Sequence, residues 1–179
     1  MNPLNKISAR GFISIFIVIS IFLSIIYSQK AYAEMKEVFG TSTLISNLYA
    51  GQIFHDQTNV RFVNNLHMFS STDADWDKAR AFNAYFYINP TRQGDNYNGC
   101  FAITHANGDQ TFVQYEGSWK WVLPRNGLRW TSESKGRFTG GTGKFEGIRG
   151  TWASKGKGDG TKDLGGEWEI EYEISSTNN

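Results

Sequence analysis

The sequence predicts an all-β fold, a single small antiparallel barrel of about eight strands. Three observations predict it. After residue 33, apolar side chains recur with period two, and no long segment carries a period of 3.6. Polar, Gly- or Pro-containing breaks separate the alternating stretches at short intervals. Many stretches carry aromatic or medium-sized side chains on both faces, which a closed barrel can use, one face lining the interior and the other packing on a partner subunit or a covering loop.

Residues 1–33 read as a signal peptide rather than as part of the fold. Lys6 and Arg10 precede the apolar run "GFISIFIVISIFLSIIY", and Ala31 and Ala33 stand at the −3 and −1 positions of an A-x-A-like cleavage site. The alternative is an uncleaved N-terminal anchor, for which the 17-residue run is short. No cysteine lies beside the cleavage point, which argues against a lipoprotein anchor. The expectation is an exported protein, periplasmic or secreted, with residues 34–179 as one β-barrel domain and no stable membrane insertion after cleavage.

The strands follow in order. The first is expected near "VFGTSTLIS". "NVRFVNNLHMF" puts Val60, Phe62, Leu66 and Met68 on one face with Asn64 among them. "SSTDADWDKA" is a break with room for one helical turn. "RAFNAYFYI" sets Phe82, Ala84, Phe86 and Ile88 against Asn83, Tyr85 and Tyr87. "NPTRQGDNYN" reads as a loop. "GCFAITH" and "QTFVQYEGSW" flank "ANGD", whose Asn107-Gly108 is a strong hairpin signal. After the loop "LPRNG", the stretches "LRWTSESKGRF" and "GTWASKGKG" are strands, and "KGDGTKDLGG" is the last loop. "GEWEIEYEI" closes the domain. Trp168, Ile170, Tyr172 and Ile174 alternate there with Glu167, Glu169, Glu171 and Glu173, so one face is buried and one is wet. The glutamates are expected to meet basic residues on neighbouring strands.

Charge narrows the function. Without Lys6, Arg10 and Lys30, 15 of the 18 basic residues remain against 17 acidic ones, a net −2, which argues against a non-specific nucleic-acid binder. A single cysteine, Cys100, excludes an internal disulfide and reads as a small buried hydrophobe.

The run "RFTGGTGKFEGIRGTW" invites comparison with a phosphate loop and fails it. A Walker A pattern needs glycine where Phe138 stands and Ser or Thr where Phe145 stands. The dinucleotide pattern needs glycine at Glu146. Glycine here fits a tight reversal with φ > 0. A single 3₁₀ turn would put Phe145 and Ile148 on one side, plugging a barrel end, with Lys144 in solvent.

"FTGGTGKFEGIRGTW", with "GCFAITHANGDQTFVQYEG" and "GGEWEIEYEI", resembles the signature of a family of small exported bacterial β-barrel proteins of unknown function. These are similar to the allene oxide cyclase and dirigent group. The resemblance covers Asn98 to Ile174 well and residues 34–97 loosely. It implies an eight-stranded barrel that holds a hydrophobic small molecule, guiding a cyclisation or radical coupling or simply binding. No catalytic residue of that group matches one by one.

The remaining motifs point to no cofactor and no metal. His55, His67 and His105 lack HxH or HExxH spacing, and His55-Asp56 is the only tight pair. Asp73, Asp75 and Asp77 begin like a calcium loop, but Lys78 and Ala84 stand where Gly and Glu are needed. Glu116, Glu133 and Glu146 could serve acid–base work. Glu116 is the catalytic candidate, because it shares a face with Phe112 and Gln114; if that face lines the barrel, burial raises its pKa. The other reading is a rim or salt-bridged glutamate. Six tryptophans, with Trp119 and Trp121 on one face, serve either packing or ligand contact.

The leading expectation is therefore a barrel that binds a small, mostly apolar molecule, lined by Tyr85, Tyr87, Phe112, Glu116 and Trp130. Any catalysis would be a non-redox isomerisation or cyclisation. The alternative is a structural or interaction module, forming homo-oligomers or binding protein or glycan through exposed Phe82, Phe86, Trp119 and Trp121.

Overall fold

The computed structural model describes residues 34–55, 58–88, 94–122, 129–159 and 162–175. It is a closed antiparallel barrel of eight strands, each paired with the next and the last with the first. The strands are β1 (Lys36–His55), β2 (Thr58–Ser71), β3 (Arg80–Ile88), β4 (Gly94–Thr104), β5 (Gln110–Val122), β6 (Arg129–Gly141), β7 (Ile148–Asp159) and β8 (Lys162–Ile174). The expected signal peptide, residues 1–33, lies outside the described residues, as do 89–93, 123–128 and 160–161, which fall in or beside the expected loops.

Four strands outrun their sequence signals. β1 continues through "NLYAGQIFH", with pairing irregularities at Leu44/Ser46 and Asn47/Tyr49. β4 takes in "GDNYN", and β7 and β8 extend into "KGDGTKDLGG". Polar and glycine-rich composition disfavours strand locally, but a neighbouring strand that offers a full hydrogen-bond ladder overrides it. Gly94, for example, pairs with Lys120, and Asp159 with Lys162.

One barrel end is packed solid. The break after β2 makes a single helical turn, with the Asp77 N–H donating to Asp73 O at 2.9 Å. That turn drives fully buried Trp76 into the barrel, against Phe138, Phe145, Trp168 and Tyr172. The 3₁₀ turn Gly143–Phe145 brings Phe145 to the same place, and Ile148 is buried beside it. The glycine run thus serves chain reversal. Gly143 has φ +55°, and a Cβ there would overlap the Asp109 carboxylate, which accepts the Lys144 N–H at 3.0 Å. Lys144 is exposed, as the sequence suggests. Its ammonium pairs with Asp75, tying this turn to the Trp76 turn.

On β8 the alternation reads as expected: Trp168, Ile170 and Tyr172 are buried, and Glu169 and Glu171 are exposed. Glu167 pairs in register with Lys155 and Glu173 with Arg149, the basic neighbours that four like charges need. Cys100 differs from expectation. It is exposed on the outer face, because Gly99, Phe101 and Ile103 hold the inward positions of β4.

Candidate functional site

Above the packed end the barrel encloses a cavity of about 1080 Å³ that opens to solvent. Its floor is Phe69, Phe101 and Trp152, with ring centroids 5.2–6.4 Å apart. The wall then climbs from ring to ring. Phe101 meets Tyr115 at 4.8 Å, Tyr115 meets Tyr97 at 6.0 Å, and Tyr97 meets Tyr85 and Tyr87 at 5.6 and 5.8 Å. Tyr87 touches Trp119 at 6.3 Å, and Trp119 touches Trp121 at 5.5 Å. Most of these contacts are tilted or edge-on, the arrangement the ring quadrupole favours.

The wall leaves open space because its large rings lie over glycines of the adjacent strand. Tyr115 is in register with Gly99 and Gly136, Tyr97 with Gly117, and Trp130 with Gly158. At each of these glycines a Cβ would overlap the facing aromatic residue. A residue with a side chain there would force the ring off the wall and into the cavity.

Polar groups form a belt on the same wall. The Tyr115 hydroxyl donates to Asn83 Oδ1 at 2.5 Å, and His67 Nε2 lies 3.0 Å from Asn65 Oδ1. Ser134 and Ser154 share a hydrogen bond of 2.7 Å. Burial pushes the Tyr97 phenol up to about 12, against the opposing pull of its hydrogen bonds to Ser132 and Ser134. Burial also raises Tyr87 well above the ordinary phenol range, with Tyr85 adding to the rise, and it raises Tyr115, with Tyr97 and Tyr85 adding. At neutral pH these phenols are therefore uncharged hydrogen-bond donors. Arg61 and Asp95 are charged groups that also border the cavity.

Of the residues expected to line the interior, Tyr85, Tyr87 and Trp130 do so. Phe112 and Glu116 do not. Both lie on the outer face of β5, Glu116 exposed and Phe112 half-buried, so neither belongs to the cavity. The reason is the pleat: Val113, Tyr115, Trp119 and Trp121 take the inward positions, which sends 112, 114 and 116 outward. Glu133 and Glu146 are exposed as well. Sequence reasoning misses Tyr97, Tyr115, Asn65 and Asn83. A signal for Tyr115 is nonetheless present: Gln114, Glu116, Ser118 and Lys120 form one polar row on β5, so the opposite row is the inward one.

His55 and Asp56 have side chains outside the described residues. The calcium-like aspartates are engaged in their own turn: Asp73 accepts the Asp75 N–H at 2.9 Å, and Asp75 pairs with Lys144. Among the described residues no cluster of three or more metal-ligating side chains occurs. No protein-family model matches the chain, and no curated protein matches it.

Proposed function

We propose that this protein is an exported barrel that binds a small, mostly apolar molecule in its cavity, in the manner of the small bacterial barrels and the allene oxide cyclase and dirigent group that its C-terminal half resembles. The observation that carries this reading is the continuous aromatic wall from Phe101 to Trp121 around about 1080 Å³ of open space. Pockets of about 300–1,000 Å³ with apolar walls and a few polar groups are the usual form of a small-molecule site. The neutral groups Tyr97, Tyr115, Asn83 and Asn65 support a mostly apolar ligand that carries a few hydrogen-bonding atoms.

If the bound molecule reacts, these features favour an isomerisation or cyclisation, with the cavity holding one conformer. Neutral phenols such as Tyr97 and Tyr115 would then donate hydrogen bonds to an oxygen that gains charge. Glu116 has no part in this.

The test is native mass spectrometry of the protein taken from its own host, with a screen of lipids and apolar dyes read by tryptophan fluorescence. A co-purified small molecule, or a dye that displaces the emission of the wall tryptophans, is the expected outcome. No binder in either experiment overturns the proposal.

A further inference from the structure

The outside of the barrel is divided. On β6–β8 the outward positions carry Lys135, Arg137, Lys155, Glu169 and Glu171, exposed charges of both signs. On β2 and β3 they are mainly apolar and uncharged from Val60 to Ser70 and from Phe82 to Ile88, with Asn64 among them and Arg80, beside Met68, at the edge; Tyr49 and Ile53 of β1 adjoin them. The strand register shows this surface to be continuous. Leu66 lies beside Phe82, Phe62 beside Phe86, and Val60 between Ile53 and Ile88. Tyr49 stacks on Phe62 with ring centroids 5.7 Å apart. The row Leu66–Phe82 runs on through Ala102 to Phe112 on β5.

The extent of exposure is large. Ile45, Tyr49, Ile53, Phe82, Phe86 and Ile88 are 39–57% exposed. At about 200 Å² per large side chain, these six offer on the order of 600 Å². The partly exposed Phe62 and Leu66 between them bring the face towards the ~800 Å² per partner of a standard protein interface. A monomer rarely leaves so much contiguous apolar surface in water.

We propose that the outer face of β1–β3 is the contact surface between copies of this chain. The face selects its partner by what it lacks. Between Phe82 and Ile88, and between Val60 and Ser70, no outward position is charged. An acidic or basic partner would find no counter-charge, and anionic lipid headgroups would find no lysine or arginine among these residues. An uncharged apolar face is complementary to itself, as an isologous contact requires. Insertion of the whole barrel into a bilayer is excluded by the charged outer rows of β6–β8. Beside Phe86 and Ile88 a concavity of about 640 Å³, bordered by Asn98 and Ser118 and, farther from the face, by the oppositely charged Asp95 and Lys120, offers a socket for a protruding side chain of the second copy. Cys100, in register with Ala84, stands on the border of the face and would be covered by that contact.

The experiment is size-exclusion chromatography with light scattering on protein purified from cells expressing the full chain, compared with Phe82→Glu and Phe86→Lys. Both side chains point outward, so the variants leave the interior packing in place, which near-ultraviolet circular dichroism checks. Wild type is expected at a multiple of the single-chain mass, and each variant at the single-chain mass. As a readout without substitution, maleimide labelling of wild-type Cys100 is expected to slow as protein concentration rises. A wild-type single-chain mass at every concentration overturns the proposal, as do variants that keep the wild-type mass or labelling that ignores concentration. Binding of single chains to neutral vesicles would assign the face to lipid instead.

Discussion

The imidazole of His105 lies face to face on the ring of Phe145, with centroids 4.0 Å apart and planes inclined by 27°. The two residues come from successive hairpin ends, and their stacking joins the β4–β5 turn to the glycine-rich β6–β7 turn. The ring is held in one tautomer. Nδ1–H donates to Asp75 O at 2.7 Å, and Nε2 accepts from the Thr111 hydroxyl at 3.1 Å. Each bond and each stack contributes to closing the barrel end beneath the cavity.

This arrangement sets an acid limit on stability. Burial lowers the His105 pKa from its ordinary 6.5, so the unfolded chain takes up a proton that the folded chain refuses. The stabilisation is complete above pH 6.5 and is lost as pH falls from there towards the folded value. On the alkaline side, Tyr87, Tyr97 and Tyr115 hold their protons above the ordinary value of 10.0, so stability declines as pH rises through 10 towards about 12. Thermal melts across pH should show a plateau with both shoulders. A His105→Asn variant should lose the pH dependence of the acid shoulder.

Phe145→Ala should destabilise the barrel by about 3–5 kcal/mol, the usual cost of emptying a packed aromatic site. Phe145 is fully buried against Trp76 and His105, with little freedom for collapse. Urea denaturation would measure it. Gly143→Ala should cost about 1–2 kcal/mol from the left-handed backbone, with a further penalty from overlap with Asp109. An unchanged midpoint for either would contradict the role given to this turn.

The glycine-backed wall makes a separate prediction. Gly158→Ala should push the Trp130 indole into the cavity, because the added methyl occupies the space where that ring lies. Tryptophan emission should shift, and apolar dye should bind more weakly while the circular dichroism stays all-β. Dye affinity equal to wild type would mean that Trp130 does not bound the binding space.

Trp119→Ala should weaken dye binding by roughly 3- to 10-fold, the equivalent of about 0.5–1.5 kcal/mol for one aromatic contact. Glu116→Gln should leave it unchanged, since Glu116 faces solvent on the far side of β5. Isothermal titration with the same dye separates the two. A loss with Glu116→Gln and none with Trp119→Ala would reverse the inward assignment of β5.

Tyr115→Phe removes the donor to Asn83 Oδ1, and Asn83 is itself buried. A loss of about 1–3 kcal/mol is expected from the orphaned amide oxygen. The Asn83→Ala, Tyr115→Phe double variant should recover part of it, and a double-mutant cycle would measure the coupling.

How much of the barrel is legible in the linear chain depends on the contrast between the two faces of each strand. In β8 one face is all glutamate, so its direction is readable from the alternation itself. In β5 Phe112 shares a face with Gln114, Glu116, Ser118 and Lys120, so a single aromatic points to the wrong face while the whole row points to Tyr115 and Trp119 as inward. In β3, Tyr85 and Tyr87 compete with Phe82 and Phe86, and the more hydrophobic pair is the one that faces outward. Hydrophobicity predicts burial only when a barrel has a dry interior and a wet exterior, and this one has a partly polar interior and a partly apolar exterior.

From the chain alone come the all-β class, the barrel of eight strands, the Asn107-Gly108 hairpin, and the reading of "GGTGKF" as a turn with Phe145 as plug. Each rests on local physics: alternation, turn chemistry, and the backbone freedom of glycine. The aromatic wall, the glycines behind it, the His105–Phe145 stack and the apolar face of β1–β3 arise only on closure. Closure fixes which pleat faces inward on every strand at once, and it brings together residues such as Asp75 and Lys144 that are distant in sequence.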